Sequence, residues 1–78
     1  MSAMISSLKE LMLATGLDAE LVSRLDPARP LIQQGVDSVD YPGFILAFEE
    51  AYGVKVSDAD SLRLKTLNDF MNFVAART

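Results

Sequence analysis

Apolar side chains recur at three- and four-residue spacing along most of this chain, a period that commits it to helices packed on one another. Ile5, Leu8, Leu11, Met12 and Thr15 mark one face of a first helix. Ser2 stands where an N-cap belongs, and Gly16 where a left-handed C-terminal residue is wanted. A second start follows at Asp18, with Leu17 and Val22 placed as a hydrophobic staple across it. That segment ends by Asp26-Pro27, because proline disfavours helix in the residue before it. Pro27 and Pro30 bracket a loop in which Leu31, Ile32 and Val36 are expected to pin the chain to the core. The next helix lies between Ser38 and Tyr52, with Val39, Phe44, Ile45, Phe48 and Tyr52 as its apolar side and Gly53-Val54 closing it. Ser57 with Asp60 opens a brief helix, and Thr66 with Asp69 opens the last one. The inward stripe there is Leu67, Phe70, Met71 and Val74, with Arg77 near the negative end of the dipole. Val54-Lys55-Val56 alternates but is too short to compete as a strand. The expectation is an all-α fold, a small bundle of three principal helices plus one or two short ones, with residues 1–78 forming a single domain.

Missing residue types narrow the chemistry. No cysteine is present, so disulfides, zinc-thiolate sites and thiol nucleophiles are excluded. No histidine is present either, which removes the commonest general base and the commonest transition-metal ligand. Nothing marks a carboxylate pair as catalytic, and Asp58-Ala59-Asp60 lacks the glycine and distal glutamate of a calcium loop, so neither an enzyme nor a metal site is expected. The net charge of −4 argues against nucleic acid and against an anionic membrane surface. Asp37, Asp40, Glu49, Glu50, Asp58 and Asp60 lie in one stretch with Lys55 as its lone cation, a concentration that suits a basic partner surface and equally a solvated face. Met1–Ser7 has no basic leader pattern, and the longest apolar run, Phe44–Phe48, is too short to span a bilayer. A cytoplasmic monomer is expected.

Within this frame the stretch Leu31-Ile-Gln-Gln-Gly-Val-Asp37-Ser38-Val39-Asp40 carries the functional signal. An apolar loop end, a glycine, and Asp-Ser-Val opening an amphipathic helix resembles the prosthetic-group site of acyl carrier proteins, whose motif is Asp-Ser-Leu. The wider order of elements agrees over nearly the whole chain, including Phe48-Glu49-Glu50-Ala51-Tyr52-Gly53 and the Thr66-led last helix. A serine at a helix N-terminus has an exposed hydroxyl beside unpaired backbone N–H groups, and a phosphodiester there meets the positive end of the macrodipole, typically about 0.3–1 kcal/mol in its favour.

The resemblance implies an acyl-carrier-like bundle with no catalysis of its own. It implies 4′-phosphopantetheine esterified to Ser38 by a separate phosphopantetheinyl transferase, with acyl cargo held as a thioester on the arm. Asp37 and Asp40 would help bind the transferase and the metal it uses, Val39 would be a further partner contact, and Glu49 and Glu50 would meet acyl-loading and acyl-processing enzymes with basic docking surfaces. Phe44, Ile45, Phe48 and Leu62 are core residues that in this family can also line a slot for an acyl chain, and the sequence leaves both roles open. A fatty-acid pathway or a related specialised one would use such a carrier. A peptidyl, aryl or alanyl carrier shares the helical fold, the serine and the arm, with the acidic balance and small size favouring an acyl carrier, and an unmodified acidic interaction module is the reading from a different class.

Tyr41-Pro42-Gly43 departs from the family pattern, which has good helix formers here and an acidic residue about where Gly43 stands. With Ser38 as N-cap, Pro42 loses a backbone bond and crowds the Ser38 carbonyl. With Asp40 as cap, Pro42 falls in the favoured first positions and Ser38 sits in the loop before the helix. The helix is therefore expected to start late or irregularly.

Overall fold

The computed structural model describes residues 3–77, in which five α-helices follow in order: α1 (Ala3–Ala14), α2 (Ala19–Ser23), α3 (Tyr41–Tyr52), α4 (Asp58–Ser61) and α5 (Leu67–Ala75). Two single turns of 3₁₀ helix, Ile32–Gln34 and Ser38–Asp40, punctuate the connection from α2 to α3. No strand occurs among the described residues. The expected Ser2 cap lies outside them.

Local hydrogen-bond chemistry sets the ends of these helices. Asp18 accepts the Leu21 N–H at 2.9 Å and caps α2. Ser57 and Asp60 form a reciprocal capping box at α4, and Thr66 and Asp69 form another at α5. Helix α1 stops where Gly16 turns to φ +98°, with its N–H on the Leu13 carbonyl and the Leu17 N–H on the Met12 carbonyl. That double bond pattern needs a left-handed residue, which only glycine adopts without strain, and it drives Leu17 back into the core.

Helix α1 packs against α2, α3 and α5. Leu8 and Met12 from α1, Phe44 and Phe48 from α3, and Leu67, Phe70 and Val74 from α5 are all buried. At the centre the Phe70 ring meets Phe44 and Phe48 edge-on, each at 5.0 Å between centroids, the arrangement that ring quadrupoles favour. Leu31 and Val36 are buried as expected and anchor the two ends of the loop turn. Ile32, expected beside them, is instead 52 % exposed, because it opens a 3₁₀ turn that faces outward after the buried Leu31. Leu62, read as a core residue, is 74 % exposed: it follows the last turn of α4, where Leu64 takes the inward position.

The long connection is tied down by polar contacts that periodicity does not reveal. Gln34 accepts the Asp26 N–H at 2.7 Å and donates to the Asp26 and Arg29 carbonyls. The Leu31 N–H donates to the Lys65 carbonyl at 2.8 Å, and the Asn68 N–H to the Pro27 carbonyl at 3.1 Å. These bonds fasten the loop to the start of α5 and so hold the segment that delivers Ser38.

Candidate functional site

Asp37, rather than Ser38 or Asp40, caps the turn that precedes α3. Its backbone is extended, at φ −77° and ψ 138°, and its carboxylate accepts the Val39 N–H at 3.1 Å. Its carbonyl accepts the Asp40 N–H at 2.9 Å, and the Ser38 carbonyl accepts the Tyr41 N–H. This 3₁₀ pairing resolves the difficulty that Pro42 poses. A regular α-helix would need the Pro42 nitrogen to donate to the Ser38 carbonyl, but Tyr41 already occupies that oxygen and Pro42 sits in the first turn, where no donor is required. The α-helix thus begins at Tyr41, and Asp40, its flanking residue, makes no side-chain capping bond.

Ser38 is exposed, and its hydroxyl makes no hydrogen bond among the described residues. Val39, placed by its spacing on the apolar side of the helix, is 76 % exposed. The cause is geometric: three residues per turn before α3 and 3.6 within it put Val39 out of phase with Phe44 and Phe48. Leu46, 57 % exposed, was hidden from sequence reasoning inside the apolar run Phe44–Phe48. Its spacing from Val39 and Glu50 is the signal that could have found it. Val39, Gly43, Leu46 and Glu50 follow one another at four-, three- and four-residue steps, and all are exposed.

The remaining site residues divide. Glu49 is half-buried and its carboxylate accepts the Val56 N–H at 2.7 Å, fastening the chain between α3 and α4. Glu50 is exposed beside it. Phe44 and Phe48 are committed to the core, while Ile45 is half-buried and reaches a concavity that borders Ser38.

Two grooves open at Ser38, and Tyr41 borders both. One, about 350 Å³, runs between α3 and α4 past Ile45, Val56 and Asp58. The other, about 550 Å³, runs between the loop and the α4–α5 turn past Ile32, Leu62 and Lys65. Tyr41 is half-buried and its hydroxyl stands 3.5 Å from the Lys65 carbonyl oxygen. Burial, with a smaller push from the Asp69 carboxylate, raises its phenol to about 12, so it stays protonated at neutral pH.

Residues 8–74 match the phosphopantetheine attachment site family. The acyl carrier protein of Thermotoga maritima is 32 % identical over 59 residues, 76 % of this chain and 70 % of that one. That of Solidesulfovibrio magneticus is 34 % identical over 59 residues, 76 % of this chain and 73 % of the relative. That of Syntrophobacter fumaroxidans is 30 % identical over 60 residues, covering 77 % and 72 %. The family's prosthetic group needs a hydroxyl that solvent can reach and that the fold does not consume. Ser38 meets both conditions, since Asp37 does the capping. With matches over most of its length, an all-helical bundle, and an uncommitted serine at the head of α3, this chain belongs to the acyl carrier proteins, which carry cargo on 4′-phosphopantetheine and are not enzymes.

Proposed function

We propose that Ser38 is the attachment residue for 4′-phosphopantetheine and that residues 1–78 act as one carrier domain, a cytoplasmic monomer serving a fatty-acid or related acyl pathway. The observation that carries the reading is the division of labour at the head of α3, where the Asp37 carboxylate caps the turn and the Ser38 hydroxyl is left exposed. When bound, the arm supplies the terminal thiol on which acyl groups travel as thioesters. The chain's own part is to present the hydroxyl, to offer grooves beside it, and to dock other proteins. Among the described residues no helix is long and apolar enough to cross a membrane.

Family members interact with a phosphopantetheinyl transferase and with acyl-processing enzymes. For docking, the solvent face from Val39 to Glu50 has a suitable make-up: the apolar Val39 and Leu46 are exposed, with Asp37, Asp40 and Glu50 around them. Apolar contacts of this kind supply affinity, while carboxylates steer a basic partner into register. Glu49, held by Val56, acts as a brace under this face as well as a contact. Ile45 and the exposed Leu62 flank the two grooves at Ser38 and support a role in sheltering cargo, whereas Phe44 and Phe48 are buried in the core and border neither groove.

Incubation with coenzyme A and a promiscuous transferase, followed by intact mass measurement, tests the attachment. The chain is expected to gain one phosphopantetheine, and Ser38→Ala none. A folded chain that stays unmodified while a known carrier reacts alongside it would overturn the reading and favour the unmodified interaction module.

A further inference from the structure

We infer that Ile32, Leu62 and Lys65 form a resting groove for the arm on Ser38, with the Lys65 ammonium set against the phosphodiester; this rests on the attachment reading above. Ser38 borders two grooves, so an arm growing from its hydroxyl has a choice of sides. The chemistry of the two sides differs. The smaller groove mixes Ile45 and Val56 with Ser57, Ser61 and the Asp58 carboxylate. A phosphodiester is fully anionic at neutral pH, so Asp58 repels it there.

The larger groove, about 550 Å³, is lined by the apolar Pro30, Ile32, Leu62 and Leu64, with Lys65 the one charged residue among those that border it. Ile32 at 52 % and Leu62 at 74 % exposure leave large apolar surfaces in water beside it. The arm's dimethyl-bearing segment and an attached acyl chain would cover both. Lys65 is poised for this: its N–H donates to Asp69 at 3.0 Å and its carbonyl accepts from Leu31 at 2.8 Å, so its backbone is fixed. Its side chain makes no ion pair among the described residues, where the two pairs present both use Asp60, with Arg63 and Arg77. An unpaired ammonium and an anion bordering one apolar groove attract each other more strongly than they would in open water.

The test is NMR of isotopically labelled protein loaded from coenzyme A, with intact mass taken first. Nuclear Overhauser contacts are expected from the arm's geminal methyls to the methyls of Ile32 and Leu62, with amide shifts through Leu62–Lys65. Lys65→Glu is expected to abolish most of that contact intensity, Lys65→Arg to keep it, and added salt to weaken it in the wild type. Lys65 is exposed and its backbone bonds survive substitution, so the variants should fold, and their own spectra check this. Contacts to Ile45 and Val56 instead would overturn the inference alone. So would shifts confined to residues 37–40, the mark of a free arm, or contacts indifferent to Lys65→Glu. A chain without the added mass would overturn the attachment reading, and this inference with it.

Discussion

Two glycines at opposite ends of α3 should respond to alanine with opposite signs. Gly43 is the third residue of the helix, its φ lies outside the left-handed region, and a β-carbon built there meets nothing within 4 Å. Alanine at such a position restricts the unfolded chain without straining the native one, a gain of about 0.4–1 kcal/mol. Gly53 sits at φ +65° and ψ 35°, a left-handed cap whose N–H donates to the Glu49 carbonyl. Alanine there incurs about 1–2 kcal/mol of steric cost, against the same unfolded-state gain, for a net loss centred on about 0.8 kcal/mol and reaching about 1.6 kcal/mol. At ~4–8 °C per kcal/mol for a domain of this size, Gly43→Ala should raise Tm by about 2–8 °C and Gly53→Ala should lower it by a similar amount. Thermal melts followed by helical circular dichroism measure both. A neutral or lowered Tm for Gly43→Ala, with Gly53→Ala destabilised on schedule, would refute the regular helix drawn from Tyr41 onward. The same variant reports on docking, because Gly43 lies on the face shared by Val39, Leu46 and Glu50. A stabilised protein that is modified more slowly would mean that partners use the bare backbone at this point.

Removing the cap with Asp37→Ala should cost about 1 kcal/mol in urea unfolding, while Ser38→Ala, expected to abolish modification, should leave stability within about 0.5 kcal/mol. Glu49→Ala strands the Val56 N–H and should cost about 1–3 kcal/mol, with Glu49→Gln recovering part of it; Glu50→Gln should leave stability alone and slow association with basic partners, most visibly at low salt. The Asp60 carboxyl is held below the usual carboxylate range, first by the Ser57 hydroxyl and then by the Ser57 N–H, with Arg63 and Arg77 contributing. A depressed folded value means that its contribution is complete above the ordinary carboxylate pKa and is lost as pH falls through the folded value, so Asp60→Asn should flatten the acid limb of a stability–pH curve below about pH 4.

What the sequence made legible was chemistry confined to a few neighbouring residues. Asp18, Ser57 with Asp60, and Thr66 with Asp69 each cap through bonds spanning three residues, and Gly16 and Gly53 each end a helix through bonds of similar reach. Such contacts depend on residue order alone. Ile32, Val39 and Leu62 were misjudged for a shared reason: each is apolar at a plausible period, but each lies in or beside a short turn whose phase differs from the neighbouring helix. Gln34 clamps the loop across five and eight residues, a reach that no local pattern encodes.

The late start of α3 is the point where these two kinds of information meet. Asp37, Ser38 and Asp40 can each cap a helix, and local preference does not choose among them. Pro42 chooses, because it cannot donate to the Ser38 carbonyl, and that carbonyl must then be taken by Tyr41 in a tighter turn. The tighter turn makes Asp37 its cap. A residue that looked like damage to the motif therefore releases the serine hydroxyl from capping, and esterifying that hydroxyl would remove no hydrogen bond made among the described residues. Had Ser38 been the cap, modification would have exchanged a capping bond for the arm, at roughly the 0.5–2 kcal/mol that such caps contribute. In a chain of 78 residues, whose whole stability is of the order of 4–12 kcal/mol, keeping the cap and the proposed attachment site on separate oxygens removes that conflict.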